Sequence, residues 1–311
     1  MRVPVTEKYE RFGWPSVERP DLTPPEGWSL PLINSSNRVY QSRLSPDGER
    51  IAFIWNREEQ ADIYVMPSKG GWPSRISLSR VSTPYWWDRA PQWSPDGKWL
   101  AFRMNGHVHI ADSRGGIPEK LPLPLDSSSS PAWLPDSNRL VITLRPDEIP
   151  RLALTDREGS FLRKLTHDHG EDTDPRPSPD GKMVAYVHWP DDDRNRRDIR
   201  IVDLASGATR VLVGAPKMKD WFPRWSPDGK WIAFLSQRTD YNQVWLIRTD
   251  GTDLRQVTDL GTNVEEFSWS PDGTRLAIIV NRRGRLDLAS AALSSGKIEE
   301  IKVGRGVYSR P

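Results

Sequence analysis

Cysteine is absent from the 311 residues, which excludes disulfides, thiolate metal sites and a thiol nucleophile. Charge of one sign is missing too: 44 Lys and Arg face 42 Asp and Glu, a net charge of +2. That balance creates no field that would gather nucleic acid or an anionic membrane, so neither is an expected partner. No run is long and apolar enough to span a bilayer. The opening Met1-Arg2-Val3-Pro4-Val5-Thr6-Glu7-Lys8 lacks the apolar core of a signal peptide. A soluble, cytoplasmic protein is the expectation. Amphipathic helical periodicity of useful length is also missing, which points away from α and α/β classes.

What is present is a repeat. Ser45-Pro46-Asp47-Gly48 recurs at Ser94–Gly97, Ser178–Gly181, Ser226–Gly229 and Ser270–Gly273, with a weaker copy at Leu134-Pro135-Asp136-Ser137. Successive copies start 49, 40, 44, 48 and 44 residues apart. A period in the forties is that of a four-stranded propeller blade. The motif is turn chemistry: Pro pre-sets φ, Asp bonds its own backbone, and Gly accepts positive φ. Each copy therefore reverses the chain between two strands.

The flanks agree. Each turn is followed by a short apolar run such as Ile51–Ile54, Trp99–Phe102, Met183–Tyr186 or Trp231–Phe234. Runs apolar on both faces suit strands buried between neighbouring sheets. A third strand follows, for example Ile63–Val65 or Val244–Ile247, then a Gly turn and a more polar fourth strand. The sequence predicts an all-β chain: a β-propeller of six four-stranded blades over residues 38–302. Residues 1–37 form an extended leader, and residues 303–311 begin a further blade or supply a closing strand. The closing residues Gly306-Val307-Tyr308-Ser309-Arg310-Pro311 resemble the lead-in Arg38–Arg43 before the first turn, which favours a chain continuing into a seven- or eight-bladed parent.

The run Trp225-Ser226-Pro227-Asp228-Gly229-Lys230-Trp231-Ile232-Ala233-Phe234 and its relatives resemble the repeat of TolB-like proteins. With Asp88–Ser94 and Asp220–Ser226, they also resemble the amino-terminal propeller of prolyl oligopeptidase family serine peptidases, dipeptidyl and acylaminoacyl peptidases among them. That resemblance implies a propeller seated over an α/β-hydrolase domain, which it gates. The hydrolase carries the catalytic triad in that family. Here no Gly-x-Ser-x-Gly elbow occurs; Gly27-Trp28-Ser29-Leu30-Pro31 lacks the final Gly. No catalytic residue is expected in this chain.

Several residue groups are candidates for binding. The first strand of each blade lines a propeller's axis, so the residues opening those strands define a channel mouth. They are Trp86, Trp87, Asp88, Arg89, Asp172, Asp174, Lys219, Asp220 and Trp221. Trp with paired charges suits a binding surface, and it also suits blade junctions where Asp and Arg satisfy backbone groups. Glu265-Glu266 evokes the propeller Glu pair with which the dipeptidyl peptidases hold a substrate's amino group. Adjacent strand residues point to opposite faces, however, and this pair lies closer to its turn. His107 with His109, and His167 with His169, alternate as same-face pairs without the supporting carboxylates of a metal site. Asp191-Asp192-Asp193 is consecutive rather than alternating, unlike a calcium loop. No metal and no cofactor are expected.

Two functions fit. One is the gating and docking domain of a serine peptidase, contacting a peptide substrate and a hydrolase domain. The other is a self-sufficient TolB-like propeller that binds a protein partner.

Overall fold

The computed structural model describes residues 39–57, 60–77, 90–124, 130–282 and 285–301. The leader and the residues after 301 lie outside this range. So do the strand and tail readings placed on them.

The described chain forms six four-stranded antiparallel sheets, each made of four consecutive strands. Blade 1 holds β1 (Val39–Leu44), β2 (Arg50–Arg57), β3 (Gln60–Pro67) and β4 (Ser74–Arg75). Blade 2 holds β5 (Gln92–Trp93), β6 (Trp99–Met104), β7 (His107–Asp112) and β8 (Glu119–Lys120). Blade 3 holds β9 (Ala132–Trp133), β10 (Arg139–Leu144), β11 (Arg151–Asp156) and β12 (Phe161–Lys164). Blade 4 holds β13 (Glu171–Pro177), β14 (Met183–Trp189), β15 (Asp198–Asp203) and β16 (Thr209–Val213). Blade 5 holds β17 (Asp220–Trp225), β18 (Trp231–Ser236), β19 (Gln243–Arg248) and β20 (Arg255–Gln256). Blade 6 holds β21 (Val264–Trp269), β22 (Arg275–Arg282), β23 (Arg285–Ala292) and β24 (Ile298–Glu300). The six-bladed reading is therefore correct, and every Ser/Leu-Pro-Asp turn joins the first and second strands of its blade. Among the described residues, helix is confined to a short 3₁₀ turn at Pro146–Glu148, and no helix is long and apolar enough to cross a membrane.

The turns explain why the motif recurs. In blade 5 the Ser226 hydroxyl donates to Asp228 Oδ1 at 2.6 Å and accepts from Trp231 N at 3.0 Å. Asp228 Oδ1 accepts Lys230 N at 3.1 Å, and Gly229 N donates to Ser226 O at 2.9 Å. Blades 1, 2, 4 and 6 repeat the set. The serine hydroxyl, then the backbone N–H two residues on, holds Asp47, Asp180, Asp228 and Asp272 below the usual carboxylate range, Asp272 at about 2. A depressed folded-state pKa contributes stability that is fully present above the ordinary pKa and is lost as pH falls through the depressed one. Gly229 has φ +69°, the left-handed region that disfavours side chains. In the third copy Ser137 takes that place at φ 57° and accepts a hydrogen bond from Asp96 N of the blade 2 turn at 3.0 Å.

Packing is blade on blade. Apolar clusters fill the junctions 1/2, 2/3, 3/4, 4/5 and 5/6, each drawing residues from both sheets. Phe102, Leu140, Ile142, Tyr186 and Phe234 sit fully buried in them. A second element ties blades near the axis. The tryptophan just before the turn donates its indole N–H to a carbonyl of the preceding blade's first strand. Trp93 reaches Arg43 O (3.0 Å), Trp133 reaches Gln92 O (3.0 Å), Trp225 reaches Arg176 O (2.7 Å) and Trp269 reaches Arg224 O (3.1 Å). Blade 4 has Pro177 in that position and blade 1 has Leu44, so junctions 3/4 and 6/1 have no such latch. Leu44 is 60% exposed where Trp93 and Trp225 are each 9% exposed.

Replacing Gly229 with valine should destabilise the protein by about 1–3 kcal/mol, because a β-branched residue is strained at positive φ. Gly229→Asn should cost well under half as much, since Asn tolerates that region. Thermal melts of the two variants check this, and equal losses would contradict the turn geometry.

Candidate functional site

The candidate site is the axial channel, and its geometry begins with a bulge. In blades 1, 4 and 5 the first strand slips register between Tyr40 and Arg43, Thr173 and Arg176, and Trp221 and Arg224. The extra residues sit at Gln41 (φ 50°), Asp174 (φ 52°) and Phe222 (φ 60°). In two of them Pro follows, Pro175 and Pro223, and a proline is tolerated where a bulge has already interrupted the ladder. Two positions on from each of these residues the ladder resumes, and in all three blades the residue there is arginine.

Arg43, Arg176 and Arg224 thus stand at equivalent positions, two before the turn serine. Together with Gln92, Ala132, Trp93, Trp133, Pro95 and Pro177 they line a cavity of about 290 Å³ built by five blades. Asp174 and Glu266 supply the opposing charge. Arg176 Nη2 lies 2.5 Å from Asp174 Oδ1, and Arg43 Nη1 lies 3.6 Å from Glu266 Oε1, bridging blades 1 and 6. The Arg224 guanidinium stacks over the Phe222 ring at 3.6 Å. Burial pushes Arg224 down to about 10, against the pull of Asp174. Burial, and the like charges of Arg224 and Arg43, push Arg176 down as well. Burial raises Asp174, and Arg224 and Arg43 oppose that rise. The site is a crowded cluster of three guanidinium groups and two carboxylates, with Arg176 and Asp174 the less exposed pair and Arg43 and Glu266 about one-third exposed.

The residues expected at the mouth divide in this frame. Asp174 and Glu266 pair with the cavity-lining Arg176 and Arg43. Asp172 is buried, with Oδ1 2.8 Å from His188 Nδ1. Gly170 passes so close that a Cβ there would lie 2.8 Å from His188 Cε1. Asp220 is buried, accepting from Ser236 Oγ at 2.6 Å and from Arg238 Nη2 at 2.7 Å. These two aspartates tie strand ends together inside their blades. Trp221 packs against the blade 5/6 cluster, and Lys219 bridges to Arg197 by backbone pairing. Glu265 accepts from Asn281 Nδ2 at 2.7 Å, away from Glu266. The two glutamates therefore diverge. Trp86, Trp87, Asp88 and Arg89 lie outside the described residues.

The histidine pairs also separate. His109 is buried, stacked on Phe102 at 6.0 Å, and its pKa is lowered by burial. His167 and His169 are exposed. Among the described residues no three His, Asp or Glu side chains are grouped to hold a metal ion. Asp193 caps its own loop, accepting from Asn195 N at 2.9 Å and Lys217 N at 3.2 Å.

The arginine triad is what reading by sequence missed. Its signal was available: Arg two residues before the turn serine in three of the six repeats.

Residues 175–311 match the family model described as the TolB beta propeller domain. The chain is 31% identical over 113 residues to the Bacillus subtilis "Uncharacterized peptidase YuxL", covering 35% of this chain and 17% of that protein. It is 28% identical over 180 residues to the "Protein TolB homolog" of Chlorobium luteolum, covering 56% and 38%. The matches thus span well under two thirds of the length of these relatives. In structure, a puromycin hydrolase superposes with a TM-score of 0.67 at 17% identity, over 93% of this chain and 50% of that one, which shows the shared fold. The chain is a six-bladed propeller, similar over part of its length both to TolB proteins and to peptidases.

Because Arg176 makes the 2.5 Å contact to Asp174, Arg176→Met should destabilise by at least about 2 kcal/mol more than Arg43→Met. The first leaves a buried carboxylate short of its partner, whereas the second breaks a longer, one-third exposed pair of the kind worth roughly 0–1 kcal/mol. Denaturant midpoints measure the difference, and equal losses would show that the Asp174 pair does not organise the axis.

Proposed function

We propose that this propeller is a non-catalytic domain that admits and binds polypeptide at its axis and acts with a serine-hydrolase domain of the prolyl oligopeptidase type. The observation that carries the reading is the axial cavity. It is walled by five blades and includes Trp and Arg, residue types that anchor polypeptide at interfaces. The kinship with peptidases and with TolB proteins supports polypeptide as the ligand class.

The chemistry of the described residues agrees with a binding role. His188 is engaged by a carboxylate and shut inside blade 4, and the turn serines donate to their own aspartates. The carboxylate that each of Ser45, Ser178, Ser226 and Ser270 meets has a depressed pKa, which makes it a weak base for activating that hydroxyl. A propeller in this role contributes exclusion and orientation, while the attacking group belongs to its partner domain.

The second reading, a free-standing interaction propeller, draws on the match of residues 175–311 to the TolB domain. A fluorophosphonate probe, which labels activated serines, separates the two. The gene product isolated from its native host should be labelled on the polypeptide that carries this propeller, and purified residues 1–311 should not. A native product that binds polypeptide but takes no label would favour the interaction propeller.

A further inference from the structure

Away from the axis, where β17 opens, stands an arginine without an anion. Arg197 precedes β15, and its backbone pairs with the segment leading into β17: Arg197 N donates to Met218 O at 2.9 Å and Asp220 N donates to Arg197 O at 3.0 Å. The half-buried guanidinium stacks over the Trp189 ring at 3.9 Å and stands 5.8 Å from the Trp221 ring. Those contacts use the flat faces of the group, whereas its N–H donors lie in the plane and point from the edge. Among the described residues, Nε is buried without a hydrogen-bond partner. Burial lowers the Arg197 pKa, and no carboxylate pulls the other way.

A second cation stands beside it. Lys219 pairs with Arg197 in a parallel bridge, which puts the two side chains on one side of the backbone. Trp221, two residues on, shares that side. Among the described residues Lys219 has no ion-pair partner either. The nearby carboxylates are engaged elsewhere. Asp198 is gripped through both oxygens by Arg196 at 2.8 Å, and Asp220 by Ser236 and Arg238. Asp193 accepts the backbone N–H groups of Asn195 and Lys217, Asp191 lies 4.0 Å from His169, and Asp192 acts on Arg196. Two like charges side by side, one of them half out of water, are stabilised by an added anion. The edge of a guanidinium matches a carboxylate with two parallel hydrogen bonds.

We infer that Arg197 and Lys219 form a carboxylate-binding site where β17 opens, which docks an acidic side chain or the carboxyl terminus of a bound polypeptide. The inference deepens the polypeptide-binding reading and rests on it. Trp189 and Trp221 do not receive the ligand. Their part is to hold the guanidinium by its faces, so that its edge is presented ready-formed. The conformational entropy of that long side chain is then lost on folding rather than on binding, which favours affinity. Lys219 adds charge without direction, and Arg197 supplies the fork.

Calorimetric titration of residues 1–311 tests this with three N-acetylated peptides. The first is Leu-Glu-Ala-Phe amide, the second its neutral twin Leu-Gln-Ala-Phe amide, and the third Leu-Gln-Ala-Phe with a free carboxylate. The glutamyl peptide or the free acid should bind about tenfold tighter than the neutral amide, and which of them does so identifies the carboxylate's source. Arg197→Gln and Lys219→Gln should each bring the three affinities to within about threefold of one another. Arg194→Gln, which removes an exposed charge from the same loop, should leave the preference intact. If Arg197→Gln does not fold, Lys219→Gln decides, because that side chain has no partner to lose among the described residues. Equal binding of all three peptides to the unmodified chain, or an acid preference that survives both variants, would overturn the site and leave polypeptide binding standing. Binding of none would overturn both, while the hydrolase partnership stays testable by the serine probe.

Discussion

The indole N–H bond from one blade to the backbone of the blade before it is the constraint on which the axis depends. A propeller sheet is held to its neighbours mainly by apolar packing, which is non-directional and tolerates sliding. The tryptophan latch is directional. Trp225 Nε1 fixes Arg176 O and Trp269 Nε1 fixes Arg224 O, so each latch seizes the residue whose side chain lines the channel. Position within the ring and position within the site are therefore set by the same bond. The four latches fall within blades 1–3 and blades 4–6, and they divide the ring into two halves joined by different means. Junction 3/4 relies on Leu134, Leu152, Val184 and Tyr186 packed together, and junction 6/1 carries the Arg43–Glu266 pair.

The turn network serves the same end one step earlier. Ser226 bonded to Asp228 and to Trp231 N closes the reversal that places Trp225 beside the neighbouring blade. A buried hydroxyl with both its donor and acceptor roles filled is stabilising, and one left unfilled is costly. That asymmetry is why serine and aspartate recur together at this turn. The degenerate copy at Leu134 lacks the hydroxyl. There Arg139 N and Asn138 N both turn to Asp136 Oδ1, and Ser137 bonds across to the blade 2 turn.

Much of this was legible in the sequence because it is periodic and local. The turn motif marked all six blades, and the apolar runs after it became β2, β6, β10, β14, β18 and β22. The site was less legible because it is neither. Arg43, Arg176 and Arg224 are far apart along the chain and meet only once the ring forms. Asp172 and Asp220 open their strands as expected, but their partners His188 and Ser236 lie on the neighbouring strand, and the pairing draws them inside the blade. Glu265 and Glu266 look alike in sequence, yet alternation along the strand sends one to Asn281 and the other to Arg43. Leu44 looks like an ordinary core residue until its lack of an indole is compared with the other blades.

The latch can be tested directly by removing one indole N–H while keeping an aromatic ring. Trp225→Phe leaves the Arg176 carbonyl without its indole donor and should cost about 1–3 kcal/mol in denaturant unfolding. Trp245→Phe is the control, because Trp245 Nε1 is buried and has no hydrogen-bond partner among the described residues; losing an unsatisfied donor should be nearly neutral or stabilising. A larger loss for Trp225→Phe than for Trp245→Phe is the predicted result. Equal losses would contradict the claim that the indole bond, rather than ring packing, holds the axis in place.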